Sequence, residues 1–313
     1  MRLRQPPIPR PLPTTRARLA AAPQAKARPL RPQPGSPWRT HVHTNLGGGT
    51  QSSKAGYDGY SINNQSVTLG LDHSWERLRL GAAANLGQVE QNYDSYNGKS
   101  DSDIWQLGLY ASTRYQNLLA GLDLSVGRAE VDTRRDIPLL SARAEADWHA
   151  WWFGAGLHAA YLFDFSGIEL TPVIGAAWLH TKTPSYDESW QGTAPGALHY
   201  ASDSYDSFEL QFNLAAQTTI EAEKFSLTPY LDLGVAYELA DRQVKLDTGF
   251  VGAPMPMQSF STQSWERNRF SFNTGAGLAL GLGENVSVTL GYQGDFSEGY
   301  NYHSGNVMLE VSF

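Results

Sequence analysis

The chain is 313 residues long, with no Cys, 30 Gly, 9 Trp, 15 Tyr and 12 Phe, a net charge of -7 and a mean hydropathy of -0.39. Without Cys there are no disulfides, metal-thiolate sites or cysteine nucleophiles, and without a run of about eighteen apolar residues there is no transmembrane helix. A membrane-spanning barrel escapes the second exclusion, because every second residue of its strands faces water and the average then looks soluble.

Residues 1–37 hold eight of the 24 Lys and Arg (Arg2, Arg4, Arg10, Arg16, Arg18, Lys26, Arg28, Arg31) and no acid. That leaves 16 Lys and Arg against 31 Asp and Glu in 38–313, a balance of -15. Rich in Pro and poor in apolar residues, the first segment predicts a disordered or polyproline-like tail or linker. It is not a signal peptide, because Pro and Arg interrupt every candidate apolar core. A missing upstream portion is the first expectation, and a basic tail for anionic headgroups or nucleic acid the second.

From Trp38 onward a period of two sets the reading, since successive side chains of a strand point to opposite faces. A first strand at about Trp38–Leu46 precedes a Gly-rich loop. The second, Gln65–Trp75, puts Val67, Leu69, Leu71 and Trp75 on one face and Thr68, Asp72 and Ser74 on the other. Glu76-Arg77 turns into a third, Leu78–Val89. After the polar loop Gln91–Ser100, a fourth turns Trp105, Leu107, Leu109, Ala111 and Tyr115 outward, with Gln106, Gly108, Tyr110, Ser112 and Arg114 opposite. Gln116-Asn117 leads to a fifth, Leu118–Val131. The sixth, about Ala142–Phe163, contains Trp148, Trp151 and Trp152, and Asp164–Gly167 turns into the seventh, Ile168–Thr181.

The eighth strand alternates Phe208, Leu210, Phe212, Leu214, Ala216 and Ile220 with Glu209, Gln211, Asn213, Gln217 and Glu221. A turn near Glu223-Lys224 gives the ninth, where Leu227, Leu231, Leu233, Val235 and Tyr237 oppose Thr228, Asp232 and Glu238. The tenth, about Trp265–Leu282, and the eleventh, Val286–Ser297, flank a turn at Gly283–Asn285. The twelfth ends the chain, with Val307, Leu309, Val311 and Phe313 on one face.

Short turns follow strands two, four, six, eight and ten. Longer polar loops follow one, three, five, seven and nine, the largest being about Lys182–Tyr205 and Asp241–Gln263. Sorting of loop length by parity is the pattern of an outer-membrane barrel, and it places both ends of the barrel in the periplasm. The prediction is an all-β fold: a closed antiparallel transmembrane barrel of about twelve strands over 38–313, after a tail over 1–37. Ending on an apolar strand with an aromatic residue suits closure in a membrane and not a soluble edge. Val307, Leu309, Val311 and Phe313 resemble the C-terminal signal read by the assembly machinery of outer-membrane barrels.

Gly56–Trp75 ("GYDGYSINNQSVTLGLDHSW"), opening after "SPWRTHV", resembles the start of the autotransporter β-domain, and Leu170–His180 ("LTPVIGAAWLH") and "GNVMLEVSF" are similar to that family too. The resemblance spans about Trp38 to Phe313. It implies a translocator barrel for type V secretion, which anchors and exports or displays an N-terminal passenger. It also implies contact with outer-membrane lipid, the barrel assembly machinery and periplasmic chaperones. In that family a pore helix precedes the first strand; the corresponding stretch here is Leu19–Ala27, interrupted by Pro23. Some relatives release the passenger through an Asn in that helix, and no Asn precedes Asn45.

The candidate chemistry is sparse. His41 and His43 share a strand face and could hold a metal, but no third ligand is near in sequence and pore-facing imidazoles are the plainer account. Asp101, Asp103, Asp203 and Asp206 lack the spacing of a calcium loop. A rim hydrolase would draw on His180, His199, His303, Asp187 and Asp203, and no nucleophile-elbow motif accompanies them. No catalytic, cofactor or metal residues are assigned, no cofactor is expected, and no nucleic-acid partner. Arg79, Arg114, Asp123, Glu209, Gln211, Asp232 and Glu238 are assigned to the lumen. Trp75, Trp105, Tyr115, Trp148, Trp178 and Tyr237 are assigned to the interfacial belt. The alternative function is a stand-alone outer-membrane channel or adhesin acting through its external loops.

Overall fold

The computed structural model describes residues 37–313 apart from 55–56, 95–96, 139–140, 193–195, 241–242, 253–259, 265 and 267. The basic tail, Leu19–Ala27 and Trp265 therefore lie outside the described residues. Twelve long strands follow in order: β1 (Trp38–Gln51), β2 (Tyr60–Ser74), β3 (Leu78–Tyr93), β4 (Lys99–Tyr115), β5 (Leu118–Ile137), β6 (Ala142–Tyr161), β7 (Ile168–Thr183), β8 (Asp203–Thr218), β9 (Phe225–Glu238), β10 (Phe270–Leu282), β11 (Val286–Ser297) and β12 (Tyr300–Ser312). Each pairs antiparallel with the next, and β1 pairs with β12 from Arg39↔Ser312 to Gln51↔Tyr300, so the sheet closes. At the end of that seam Phe313 N donates to Trp38 O at 2.9 Å and Trp38 N to Phe313 O at 3.3 Å. Closure is what lipid demands, since a free edge would leave backbone groups with nothing to bond.

Connections at one end are short, such as 75–77, 116–117 and 283–285. At the other end two are long, and they fold. Tyr186–Asp187, Leu198–Tyr200, Lys245–Phe250 and Phe260–Gln263 form a separate four-stranded sheet, while Ser189–Gln191 pairs with Arg143–Glu145 on the edge of β6. The remaining connections at this end correct the sequence reading. Half of the expected loop Gln91–Ser100 is strand, because β3 runs to Tyr93 and β4 starts at Lys99, and β5 and β6 likewise leave only 138–141 between them. The β11–β12 connection is the two-residue turn 298–299, where Gly299 takes a φ of 73° that costs a side-chain-bearing residue energy. β10 begins later than expected, at Phe270, just after Arg269 has bonded the Glu238 and Leu239 carbonyls at 2.9 and 3.3 Å.

The extra strand length has a simple cause: alternation continues past the apolar band with its phase reversed. Along β5 the outer face reads Leu118, Ala120, Leu122, Leu124, Val126 and then Arg128, Glu130, Asp132, Arg134. The inner face reads Gly121, Asp123, Ser125 and then Ala129 and Val131, both buried. β6 does the same, with Tyr161, Leu157 and Phe153 outside in the band, and beyond it His149, Asp147, Glu145 outside and Ala150, Trp148, Ala146 buried inside. Nine residues, Leu118 to Val126, cover about 30 Å along a strand, which a tilt of roughly 40° reduces to about 23 Å of height.

Candidate functional site

The inner face of the barrel is the candidate site, and it has two unlike levels. At the short-turn end, Arg39 of β1 lies between Asp72 of β2 and Glu310 of β12. Arg39 Nη2 is 3.0 Å from Asp72 Oδ2, its Nε donates to both carboxylate oxygens at 3.1–3.2 Å, and its Nη1 is 2.9 Å from Glu310 Oε2. Arg79 of β3 stands 3.6 Å from Asp72, and the Tyr110 hydroxyl of β4 donates to Asp72 Oδ2 at 2.9 Å. Tyr110 reaches that far because its ring lies over Gly81, where any Cβ would collide with it. Buried charges of both signs, with one phenol hydroxyl, thus tie five adjacent strands together across the closing seam. Such a group tolerates burial only while every member is paired.

Of the residues assigned to the lumen, Glu209, Asp232 and Glu238 are buried on the inner face, and Arg79 is nearly so. Glu238 accepts bonds from Ser207 Oγ at 2.5 Å and Phe208 N at 2.8 Å, and Gln211 Nε2 donates to Glu209 at 2.6 Å. Asp123 lies over Gly156, its partner in register on β6. Arg114 is the departure: it is exposed at the short-turn rim, where its Nε donates to Gln116 O at 3.0 Å. The strand ends there, so a side chain of inward parity meets solvent. Arg39 and Glu310 escaped the sequence assignment, although both sit at inward parity on strands it draws, and Tyr110 is read on the inward face there without a partner.

The aromatic assignments divide. Trp75, Tyr115, Trp178 and Tyr237 are exposed on the outer face, and Trp105 is half-buried there against Trp151, ring centroids 5.4 Å apart. Arg128 caps that pair, 5.1 Å from the Trp151 ring. Trp148 must be corrected. It is 6% exposed and points inward, stacked on Tyr186 with centroids 5.3 Å apart, because it lies beyond the level where the phase reverses.

That inward stack belongs to the long-loop mouth. Tyr186 stacks in turn on Tyr200 at 4.7 Å, and both come from the folded loop sheet. Beside them, nearer the tip of β5 than Trp148, Arg135 makes a paired bond to Glu188, Nε to Oε1 at 2.8 Å and Nη2 to Oε2 at 2.6 Å. Glu188 also accepts from Leu198 N at 2.9 Å and the Tyr200 hydroxyl at 3.3 Å. Burial, and after it the neighbouring Glu188 charge, raises the Tyr200 pKa and keeps that phenol neutral. Ala129, Val131, Ala146, Trp148 and Ala150 form one apolar cluster, and Tyr60, Ile62, Val89 and Tyr302 another; Ile104 packs against both.

The hydrolase candidates are not brought together. His199 bonds Asp187 at 2.5 Å on the loop sheet, while His180 bonds Asp206 at 3.0 Å on the outer face of β7 and β8. His303 is bonded to the Tyr292 hydroxyl at 2.7 Å. His41 and His43 both occupy the inner face of β1, and among the described residues no group of three His, Cys, Asp or Glu side chains is placed to hold a metal. Asp101 and Asp103 are exposed, held by Lys99 at 3.1 Å and Gln88 at 3.0 Å.

Comparison with known proteins agrees with this architecture. The model of the autotransporter beta-domain matches residues 42–293. Outer membrane protein B of Rickettsia japonica is 22% identical over 276 residues, which cover 84% of this chain and 16% of that protein. The extracellular serine protease of Serratia marcescens is 24% identical over 259 residues, 82% of this chain and 24% of that one. The chain therefore spans a quarter or less of these relatives. The translocator domain of the autotransporter NalP from Neisseria meningitidis superposes with a TM-score of 0.72 at 17% identity, covering 90% of each chain. The closed twelve-strand barrel and a family match across most of its length establish that this chain belongs to the autotransporter β-domain family.

Proposed function

We propose that this barrel is an outer-membrane translocator that anchors, and exports or displays, a passenger joined to its N-terminal side. The family match across 42–293 carries the reading, and the far greater length of the matched relatives supports it. In this reading the short turns and both ends of the barrel face the periplasm, and the long loops face outward, as loop parity suggests. The exposed apolar faces of the strands contact lipid, with Trp75, Trp105, Tyr115, Trp178 and Tyr237 at its interfaces. The barrel does no covalent chemistry of its own.

The test is a fusion of a signal peptide and a reporter ahead of residue 1, expressed in a Gram-negative host. External protease should remove the reporter from intact cells. A reporter that stays protected while the barrel is present in heat-modifiable form would overturn the reading. Val307, Leu309, Val311 and Phe313 are proposed as the signal for the assembly machinery and its periplasmic chaperones. Phe313→Ser should lower the amount of heat-modifiable barrel in the outer membrane several-fold, and an unchanged amount would remove the last residue from that role.

A further inference from the structure

The mouth at the long-loop end is not an open rim. Strands β2 to β6 rise beyond the apolar band with a buried inner face, apolar on β2, β5 and β6 and joined by Gln91, Ser100 and Ser102 on β3 and β4, and Tyr186 of the loop sheet packs on the β5–β6 part of it. Trp148, Tyr186 and Tyr200 stack in sequence from the wall toward the centre. Tyr93, on β3 at the far side of the projecting wall, lies close enough to influence the ionisation of both loop tyrosines and packs edge-on against Tyr60. Ile104 bridges the two apolar clusters, so packing continues around the rim. Leu198, Tyr200, Leu246 and Thr248 of the loop sheet are all buried. This is the anatomy of a small soluble core assembled across the opening of a pore.

We propose that the loop sheet formed by Tyr186–Asp187, Leu198–Tyr200, Lys245–Phe250 and Phe260–Gln263 is a seal that closes the external mouth of the lumen, with the Arg135–Glu188 pair as its catch. The inference rests on the translocator reading for its orientation. The seal must be displaced for a polypeptide to emerge and re-forms once the mouth is clear. Its catch suits that cycle: the guanidinium and carboxylate are buried together, at 14% and 7% side-chain exposure, so removing one partner strands the other. The stacked rings give a broad, dry contact, and among the described residues the backbone pairing between these loops and the wall is the three residue pairs of Ser189–Gln191 with Arg143–Glu145. Opening therefore breaks few backbone bonds.

The test uses the full chain in intact cells, which is convenient because it contains no Cys. Ser125 is on the inner face of β5 two inward positions below Ala129 of the apolar cluster, and its hydroxyl has no hydrogen-bond partner among the described residues, so Ser125→Cys is a mild probe. A maleimide on a polymer chain too large for general porins is added outside. Ser202→Cys, exposed on a long loop, serves as the control. The control should label quickly and Ser125→Cys slowly. Adding Glu188→Gln or Tyr186→Ala to the latter should speed labelling about tenfold or more, the scale of a local opening equilibrium that has lost a buried contact. Equal rates with and without the second substitution, whether both fast or both slow, would overturn the seal. An unlabelled control would overturn the orientation on which it rests. Separately, Ala144→Cys with Trp190→Cys joins residues that face each other in register, a geometry a disulfide can span. Oxidation of that pair should stop reporter export and reduction should restore it; export through the oxidised barrel would also overturn the seal. Labelling does not depend on export, so failure of the translocator reading leaves the labelling result standing.

Discussion

Below Val126 strand β5 is a membrane strand, with leucines outside and Asp123 and Ser125 inside; above Arg128 it is a strand of a soluble protein, with Glu130 and Asp132 outside and Ala129 and Val131 inside. β6 makes the same exchange, and on β3 and β4 the outer face turns from leucine to Gln88, Glu90, Asp103 and Asp101 at the same level. The backbone ladder runs through the boundary unchanged, so hydrogen bonding carries no information about where lipid ends. Side chains alone mark it, and they do so by trading places. The hydrophobic effect rewards burial from water in the upper region, while in the lower region the apolar side chains need only avoid it.

The largest expected break in this comparison is at the polar inner face of the lower region. Asp72→Ala removes the anion shared by Arg39, Arg79 and the Tyr110 hydroxyl, and should cost about 3–5 kcal/mol, the loss typical when one partner of a buried pair is removed. Urea-dependent folding into lipid vesicles measures it, and a cost below about 1 kcal/mol would mean that water fills the gap at little expense. Next come two arginines on the same face of the same strand. Leu122→Arg, in the middle of the apolar band, should cost about 2–4 kcal/mol, whereas Glu130→Arg, four pairs of residues higher on that face, should stay within about 0.5 kcal/mol. Equal costs would place the boundary elsewhere.

The smallest effect is a titration. Asp132 lies directly opposite Asp101 on one side and Asp147 on the other. Partial burial, and then the Asp147 charge and hydrogen bond, raise its pKa. A carboxyl raised in the folded state holds its proton more tightly there than in the unfolded chain. Stability of the projecting hairpin should therefore rise as pH falls into the carboxylate range, and fall as pH climbs through it. Protease resistance of the hairpin near pH 4 against pH 7, lost in its pH dependence in Asp132→Asn, checks the sign.

Much of this was legible in the chain. The strands were placed within a few residues at the short-turn end, because there the apolar phase, the tight turns and the lipid band all agree. The sequence reading ends the third strand at Val89 and the fifth at Val131, whereas the strands run to Tyr93 and Ile137: polar residues such as Glu90 and Asp132 look like the end of a strand when they are its outer face. A signal was present: Ala142, Ala144 and Ala146 alternate with Arg143, Glu145 and Asp147 in the phase opposite to Phe153, Leu157 and Tyr161. Trp148 was misassigned for the same reason. The Arg135–Glu188 catch joins residues 53 apart through a folded loop, and no local pattern announces such a contact.

The pairing of Arg39 with Glu310 also has a consequence in time. The two belong to the first and last strands, so their bond cannot form until the whole barrel domain has been made and its ends have met. Until then Arg39 and Asp72 line a growing sheet whose two edges are still open, a long-range closure that comes slowly because so much chain lies between. The ion pair and the mutual bonds of Trp38 and Phe313 are thus made at the final step, and a sheet that meets in the wrong register fails to make them. Ring closure is in this sense its own inspection: a barrel that has assembled correctly is the one in which the first residue of the ladder finds the last.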